Sequence, residues 1–303
     1  MDADKYADRE ARIKLTPKCN YKCFFCHEEG GCQSAVAEWT GVRSLLLALK
    51  SQGRREITFT GGEPLLNKPV LLKALAEIAS WDVQPEVTLI TNAALLDETV
   101  VRALEACANA KVNVSVHDPR PAEYRLRTGQ TVRTPDQIKP MLKRLALGLV
   151  RVKVNAVLTS EFVENGDAME ALFTYARDVG AGTVKFVELL RTKDAASWPK
   201  IPASVDEMER CLLRRGLVDQ GRTLRTSYWR TLDGLCVEVT RCACAVGCAH
   251  CLKTRGDFFT GGTHFHPCFM SRKTIPLEGR SLDDVLAEGD AYLMRRIAPL
   301  QAA

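Results

Sequence analysis

The sequence contains no apolar run that approaches the roughly 18 residues a membrane span requires. It has no internal repeat and no low-complexity tract, which excludes solenoids and compositionally disordered chains. No basic tract or basic helix stands out, and the net charge is only +5, so nucleic acid is not an expected partner. That modest surplus suits either an anionic substrate or an ordinary solvated surface. Residues 1–14 are charged and lack the apolar centre of a secretory signal, so a cytoplasmic location is expected. Cysteine, by contrast, is abundant, at twelve in 303 residues. A reducing compartment disfavours disulfides, which leaves metal binding or catalysis as the better explanation for so many.

The chain length fits one large domain with a smaller extension. Strand-like and helix-periodic segments alternate. Strands are expected over residues 12–16, 56–60, 86–91, 111–117, 150–158 and 183–190. Helices are expected over 35–51, 68–80, 95–110, 135–147 and 165–179. This alternation implies βαβ units and a parallel sheet, most of a (β/α) barrel, whose chemistry gathers at the C-terminal strand ends. The expected fold class is therefore α/β: a partial (β/α)6 TIM-type barrel over residues 1–197, with a C-terminal unit over 198–303. In that unit, helices are expected over 199–213 and 282–297. The stretch 235–271 shows little periodicity and is dense in cysteine and histidine, as in backbone held by a metal.

Two cysteine sets carry metal chemistry. Cys19, Cys23 and Cys26 form C-x3-C-x2-C directly after the first strand. Three thiolates on one loop can hold three corners of a cubane iron–sulfur cluster and leave the fourth iron open. A structural zinc site would need a fourth ligand, for which His27 is the nearby candidate. The second set is Cys248-x2-Cys251-x16-Cys268. Here a second cluster and a Cys3His zinc site compete, with Cys236, Cys242, Cys244, His264 and His266 as possible fourth ligands. Cys32, Cys107 and Cys211 read as small buried hydrophobes. Gly61-Gly62-Glu63-Pro64 follows the second strand, and its glycines permit a strained turn and close backbone approach.

The C-x3-C-x2-C run, with Phe25 before its last cysteine, and the Gly-Gly-Glu-Pro run resemble the radical S-adenosylmethionine (SAM) superfamily. Several further segments come in sequence: Thr91-Asn92, Val114-Ser115-Val116-His117, Tyr124-Arg125-x-x-Thr128-Gly129, Val152-Lys153-Val154-Asn155 and Phe186-Val187-Glu188-Leu189. They are similar to the MoaA-like group, which includes the GTP 3′,8-cyclases of molybdenum-cofactor biosynthesis. The resemblance covers residues 10–190 and 248–269. It implies a [4Fe–4S] cluster on Cys19, Cys23 and Cys26 that binds SAM, with Phe25, Gly61, Gly62, Glu63, Thr91, Asn92 and Ser115 around the cofactor. It also implies an auxiliary [4Fe–4S] cluster on Cys248, Cys251 and Cys268, with zinc as the alternative there. Lys153, Lys253 and Arg255 fall at its substrate positions, and an electron donor such as flavodoxin or ferredoxin is implied as partner.

The same resemblance shows departures. Asn67 stands where an arginine is usual, and Lys185 where arginine is frequent. The chain ends Leu300-Gln-Ala-Ala303 in place of a Gly-Gly tail, and Gly261-Gly262-Thr-His264 lengthens the second cysteine spacer. Lysine loses bidentate phosphate recognition, and asparagine loses the charge as well. These departures tilt the reading toward another nucleotide, nucleoside or sugar substrate, with GTP cyclisation as the alternative and a peptide substrate third. A non-catalytic iron–sulfur or zinc protein is the reading from another class. No acid or base is assigned, although His117, His250 and Tyr124 are candidates.

Overall fold

In the computed structural model, the described residues are 5–26, 35–129, 133–164, 166–189, 202–244, 246–268 and 271–301. His27 and Cys32 lie outside them.

The first six strands are β1 (Ala11–Lys14), β2 (Glu56–Thr60), β3 (Glu86–Thr91), β4 (Ala110–Ser115), β5 (Arg151–Val157) and β6 (Thr183–Val187). Each pairs in parallel with the next. The connecting helices are α1 (Trp39–Ser51), α2 (Lys68–Ala79), α3 (Glu98–Glu105), α4 (Pro121–Thr128), α5 (Pro135–Leu147), α6 (Ser160–Glu164) and α7 (Gly166–Asp178). A 3-10 turn over Pro64–Asn67 precedes α2. The expected bounds of β2, β3 and α5 agree with the structure. The helix expected over 95–110 is shorter, because Asp97 caps its start by accepting from the Val100 N–H.

The strands bury one face and leave the other polar. In β4, β5 and β6, residues such as Val112, Val114, Val154, Val184 and Phe186 are fully buried. The alternating positions, among them Asn113, Ser115, Lys153, Asn155 and Lys185, are only partly so. Leu46, Leu49, Leu71, Leu75, Leu142 and Leu172 of the helices are buried in the same core as the apolar face. The polar face turns inward, because the sheet curls. Arg12 on β1 lies within electrostatic reach of Lys185 on β6. Five strand spacings in a flat sheet would separate them by roughly 24 Å. The result is a barrel-type sheet with a polar interior.

The stretch 235–271, expected to be irregular, instead supplies strands. After α8 (Val205–Arg214) come β7 (Val218–Arg222), β8 (Thr226–Arg230) and β9 (Cys236–Thr240). Then follow α9 (Cys248–Thr254), β10 (Asp257–Thr260), β11 (His264–His266), β12 (Ile275–Pro276) and α10 (Leu282–Gln301). β9 pairs in parallel with β6, and β10 in parallel with β1. The remaining strands are antiparallel, giving the order β12-β11-β10-β1-β2-β3-β4-β5-β6-β9-β8-β7. These strands escape a periodicity reading because they are short and their partners lie far away in sequence. The segment 198–303 thus extends both edges of the barrel sheet.

Asp257, at the start of β10, is fully buried and takes ion pairs from Arg9 at 2.5 Å, Arg54 at 2.8 Å and Arg255 at 3.4 Å. This network joins β10 to β1 at the N-terminal ends of the strands. Cys107 and Cys211 are buried, as expected of small apolar residues.

Candidate functional site

The cysteine loop leaves β1 and lies across the C-terminal ends of β2 and β3. Gly62 N–H donates to the Thr16 carbonyl and Glu63 N–H to the Lys18 carbonyl, both at 2.8 Å. A Cβ on Gly61 would stand 2.6 Å from the Thr16 carbonyl oxygen, and one on Gly62 only 2.2 Å from that of Lys18. Glycine is required at both positions because the loop backbone passes directly over them.

Glu63 is 1% exposed. Its carboxylate accepts from Thr91 Oγ1 at 2.6 Å, the Asn92 N–H at 2.8 Å and the Leu65 N–H at 3.1 Å. Burial raises its pKa, while these three donors pull the other way. Glu63 and Thr91, both expected around the cofactor, therefore bind each other and fasten the end of β2 to that of β3. Asn92 reaches the loop itself, donating from Nδ2 to Asn20 Oδ1 at 2.8 Å.

On the opposite side the loop rests on α4. Lys22 N–H donates to the Thr128 carbonyl at 2.8 Å and Phe24 N–H to that of Arg127 at 3.2 Å. The Tyr21 and Tyr124 hydroxyls are 2.5 Å apart. The segment from Tyr124 to Gly129 is thus a seat for the cysteine loop, and Tyr124, fully buried, belongs to that seat. Phe25 packs edge-on against His117 at 4.5 Å between centroids. Burial lowers the His117 pKa to about 3, and the ring accepts at Nδ1 from the Val157 N–H at 3.2 Å. The imidazole is therefore neutral and positions Phe25.

The three thiols fit a metal centre. Cys19 and Cys26 are exposed and Cys23 is half-buried. Burial, with Cys26 and Cys19 adding to it, pushes the Cys23 thiol up to about 12. Thiolates so close together need a cation between them. A [4Fe–4S] cluster offers that charge and prefers thiolate donors.

Inside the barrel, Lys153 Nζ lies 2.6 Å from Glu238 Oε1, and Lys185 Nζ 4.0 Å from Glu238 Oε2. Burial lowers the Lys185 pKa to about 8, with Glu238 opposing and Lys153, Arg12 and Arg225 adding to the fall. Ser115, Asn155, Lys185 and Glu238 follow one another across β4, β5, β6 and β9 in register. The Asn113 and Asn155 side-chain oxygens are buried with no hydrogen-bond partner among the described residues. Asn113 and Glu238 are absent from the site read in the sequence. Their signal was the alternation of polar positions along β4 and β9.

Other expected substrate residues lie elsewhere. Arg255 is buried, bound to Asp290 at 2.5 Å and to Asp257, at the N-terminal ends of the strands and away from the cysteine loop. Lys253 is exposed on the last turn of α9. Asn67 donates to the Leu15 and Ala37 carbonyls at 3.1 and 2.9 Å and is thus a brace within the fold. The Gly261-Gly262 insertion packs on α1, where a Cβ on Gly262 would stand 2.5 Å from Gly41.

The second cysteine set draws on two segments, the helix between β9 and β10 and the chain after β11. Cys248 and Cys251 lie on α9, and Cys268 follows β11. Burial raises the Cys251 thiol, Arg255 opposes the rise, and Cys268 and Cys248 add to it. Cys236 starts β9 opposite Thr183, at the other end of the strand. His266 Nε2 is 2.9 Å from Thr260 Oγ1, and His264 Nδ1 is 3.0 Å from Thr263 Oγ1. Both histidines line a cavity of about 1290 Å³ beside α1. His250 sits on α9 between the two cysteines, and its carbonyl accepts from Thr254 Oγ1.

Comparison with known proteins bears on this site. Residues 13–166 match the Radical SAM superfamily. The chain is 27% identical over 277 residues to a probable GTP 3′,8-cyclase of Archaeoglobus fulgidus, covering 89% of this chain and 88% of that protein. It is 30% identical over 270 residues to a probable GTP 3′,8-cyclase of Methanopyrus kandleri, covering 87% and 82%. Among solved structures, Streptococcus suis SuiB bound to the precursor peptide SuiA aligns with a TM-score of 0.68 at 15% identity, over 92% of this chain. The chain spans 64% of that protein's length. anSMEcpe with bound AdoMet aligns with a TM-score of 0.67 at 13% identity, over 94% of this chain and 82% of that one. At such identities the two structures show the shared fold.

Proposed function

The chain belongs to the radical SAM superfamily as a MoaA-like member, and on that premise we propose that it acts on an anionic nucleotide held inside the barrel, with GTP as first candidate. Membership makes it a radical SAM enzyme and implies a [4Fe–4S] cluster that binds SAM. When bound, that pair supplies reductive cleavage of SAM and a 5′-deoxyadenosyl radical able to abstract hydrogen from a substrate. The chain's own residues do the rest. Cys19, Cys23 and Cys26 hold the cluster. The Gly61-Gly62-Glu63 backbone, fixed by the Glu63–Thr91–Asn92 hydrogen bonds, presents a shaped edge to the cofactor beside Ser115 and Phe25. A one-electron donor of the flavodoxin or ferredoxin class completes the proposal.

The observation that carries the nucleotide reading is the interior cation pair. Lys153 and Lys185 share the single carboxylate of Glu238, which leaves a surplus positive charge in a partly buried polar chamber. An anion relieves it. The amide oxygens of Asn113 and Asn155, without a partner among the described residues, stand ready to accept from a nucleobase or ribose. Arg255, Lys253 and Asn67 are no part of this chamber.

The relatives' names favour GTP cyclisation over the other nucleotide or sugar substrates that the sequence departures suggested. Asn67, one of those departures, braces the fold and so says nothing against GTP. The second reading, a different nucleotide or sugar, keeps its support from Lys185, a lysine where bidentate arginine is frequent. The test is anaerobic reconstituted protein with SAM, a reductant and GTP. 5′-Deoxyadenosine together with a cyclised GTP product is expected, and Lys153→Ala raises the KM for GTP about tenfold or more. Turnover with another nucleotide and none with GTP would move the assignment to the second reading. No 5′-deoxyadenosine from any nucleotide or sugar would sink both.

A further inference from the structure

Five cysteines come together from segments that follow β9 and β11, strands far apart in the sheet order. Cys242 follows β9, and its N–H donates to Glu188 Oε2 at 2.8 Å, just beyond β6. The carbonyl of Cys244 then accepts from Gly247, the residue that caps α9. On α9, Cys248 and Cys251 stand three positions apart and so share a face. Cys268 arrives from a separate segment, after β11. The Cys244 thiol hydrogen-bonds that of Cys242 and lies within electrostatic reach of Cys251 and Cys268. The other fourth-ligand candidates are placed differently: Cys236 at the far end of β9, and His264 and His266 on threonine hydroxyls beside the α1 cavity.

We propose that Cys244 is the fourth protein ligand of the auxiliary centre, completing the set Cys248, Cys251 and Cys268, with the Cys242 thiol donating a hydrogen bond to the Cys244 sulfur. This rests on the reading of that centre as a [4Fe–4S] cluster. Ligation replaces the Cys244 S–H proton, released to solvent, with an Fe–S bond, and changes no oxidation state. A cluster with four thiolates has no open iron. The nucleotide is then held by barrel side chains alone, and the auxiliary centre braces the segments that carry its ligands or relays electrons.

The test uses the full chain carrying Cys19→Ala, Cys23→Ala and Cys26→Ala, which leaves the second centre alone. After anaerobic reconstitution it should hold about four irons per chain. Its reduced EPR signal should not move on adding GTP, imidazole or cyanide. Adding Cys244→Ala should open one iron and make the same signal shift with imidazole or cyanide. Cys242→Ala should keep the signal unresponsive to ligands and lower the reduction potential, since hydrogen bonds to the sulfurs raise it. If Cys244→Ala no longer retains iron, Cys244→Ser should give changed g values through its oxygen ligand, and an unchanged signal there overturns the proposal. A parent signal that already shifts with GTP or imidazole overturns it too, as does an unresponsive, iron-loaded Cys244→Ala protein. Zinc, or no metal, in the parent is a different failure: it removes the cluster reading itself, whereas the other outcomes leave four irons in place.

Discussion

The two cysteine regions are built on opposite principles. The loop of Cys19, Cys23 and Cys26 is fastened from three sides by hydrogen bonds: the Gly62 and Glu63 N–H groups, the Asn92 side chain, and the Thr128 and Arg127 carbonyls of α4. Its shape is held by the protein's own hydrogen bonds. The set around Cys248 is drawn from segments next to strands that stand far apart in the sheet order, and its cysteines sit in short elements with few such ties among the described residues. The first region is a preformed cradle, whereas the second is a junction that a metal would close. Preorganisation suits the site where chemistry needs accurate placement. A junction suits structural bracing, where binding free energy is also folding free energy.

Three experiments would break or sharpen that contrast. The largest effect is expected from Gly62→Ala. The new methyl would stand 2.2 Å from the Lys18 carbonyl oxygen and force the cysteine loop away from β2. SAM cleavage should fall by about 100-fold or more, with iron lost from the first site and retained at the second. Equal loss of iron from both sites would show that the two regions are not independent.

Asp257→Asn tests the junction. It leaves three buried or half-buried guanidinium groups without their shared carboxylate, where β10 joins β1. A destabilisation of roughly 3–5 kcal/mol is expected in denaturant unfolding. Hydrogen exchange should rise first around β10 and α9, while the loop of Cys19 to Cys26 stays protected.

The smallest effect is a dependence on acid. Two histidines are buried and neutral: His117 falls to about 3 beside Phe25, and His266 to about 4 on β11. Both folded values lie below the ordinary 6.5, so below that pH the unfolded chain binds protons the folded chain refuses. The stabilisation is fully present above about 6.5 and is lost as pH falls toward 3–4. At pH 5 each histidine costs about 2 kcal/mol relative to pH 7. His117→Gln should flatten the part of this slope read from exchange at the cysteine loop and leave the part read at β11. An unchanged slope would mean that His117 is protonated in the fold.

Much of the first region was legible in the sequence. C-x3-C-x2-C and Gly-Gly-Glu-Pro are contiguous strings, and the strand before each follows from local pattern. The role of Glu63 was not legible, because its carboxylate is satisfied by Thr91 and Asn92 on a neighbouring strand. The second region was legible only as a list of thiols. Its strands are three to five residues long and gain their identity from β1 and β6. Arg255 shows the same limit. Its sequence position beside Cys251 suggested substrate, but α9 carries the chain down to the start of β10, where Asp257 and Asp290 claim it.

The sequence by itself thus determined the thiol triad and the alternating barrel core, because both are written in short-range spacing: thiols a few residues apart, apolar residues at periods of two and 3.6; the resemblance carried by the same strings implied the radical SAM chemistry. Only the tertiary structure decided which polar groups share a chamber. Lys153, Lys185, Glu238, Asn113 and Asn155 come together through strand register and the curl of the sheet, and Cys244 comes within reach of Cys251 and Cys268 only through the way distant segments pack. Such meetings depend on pairings between distant segments, and no local pattern encodes them.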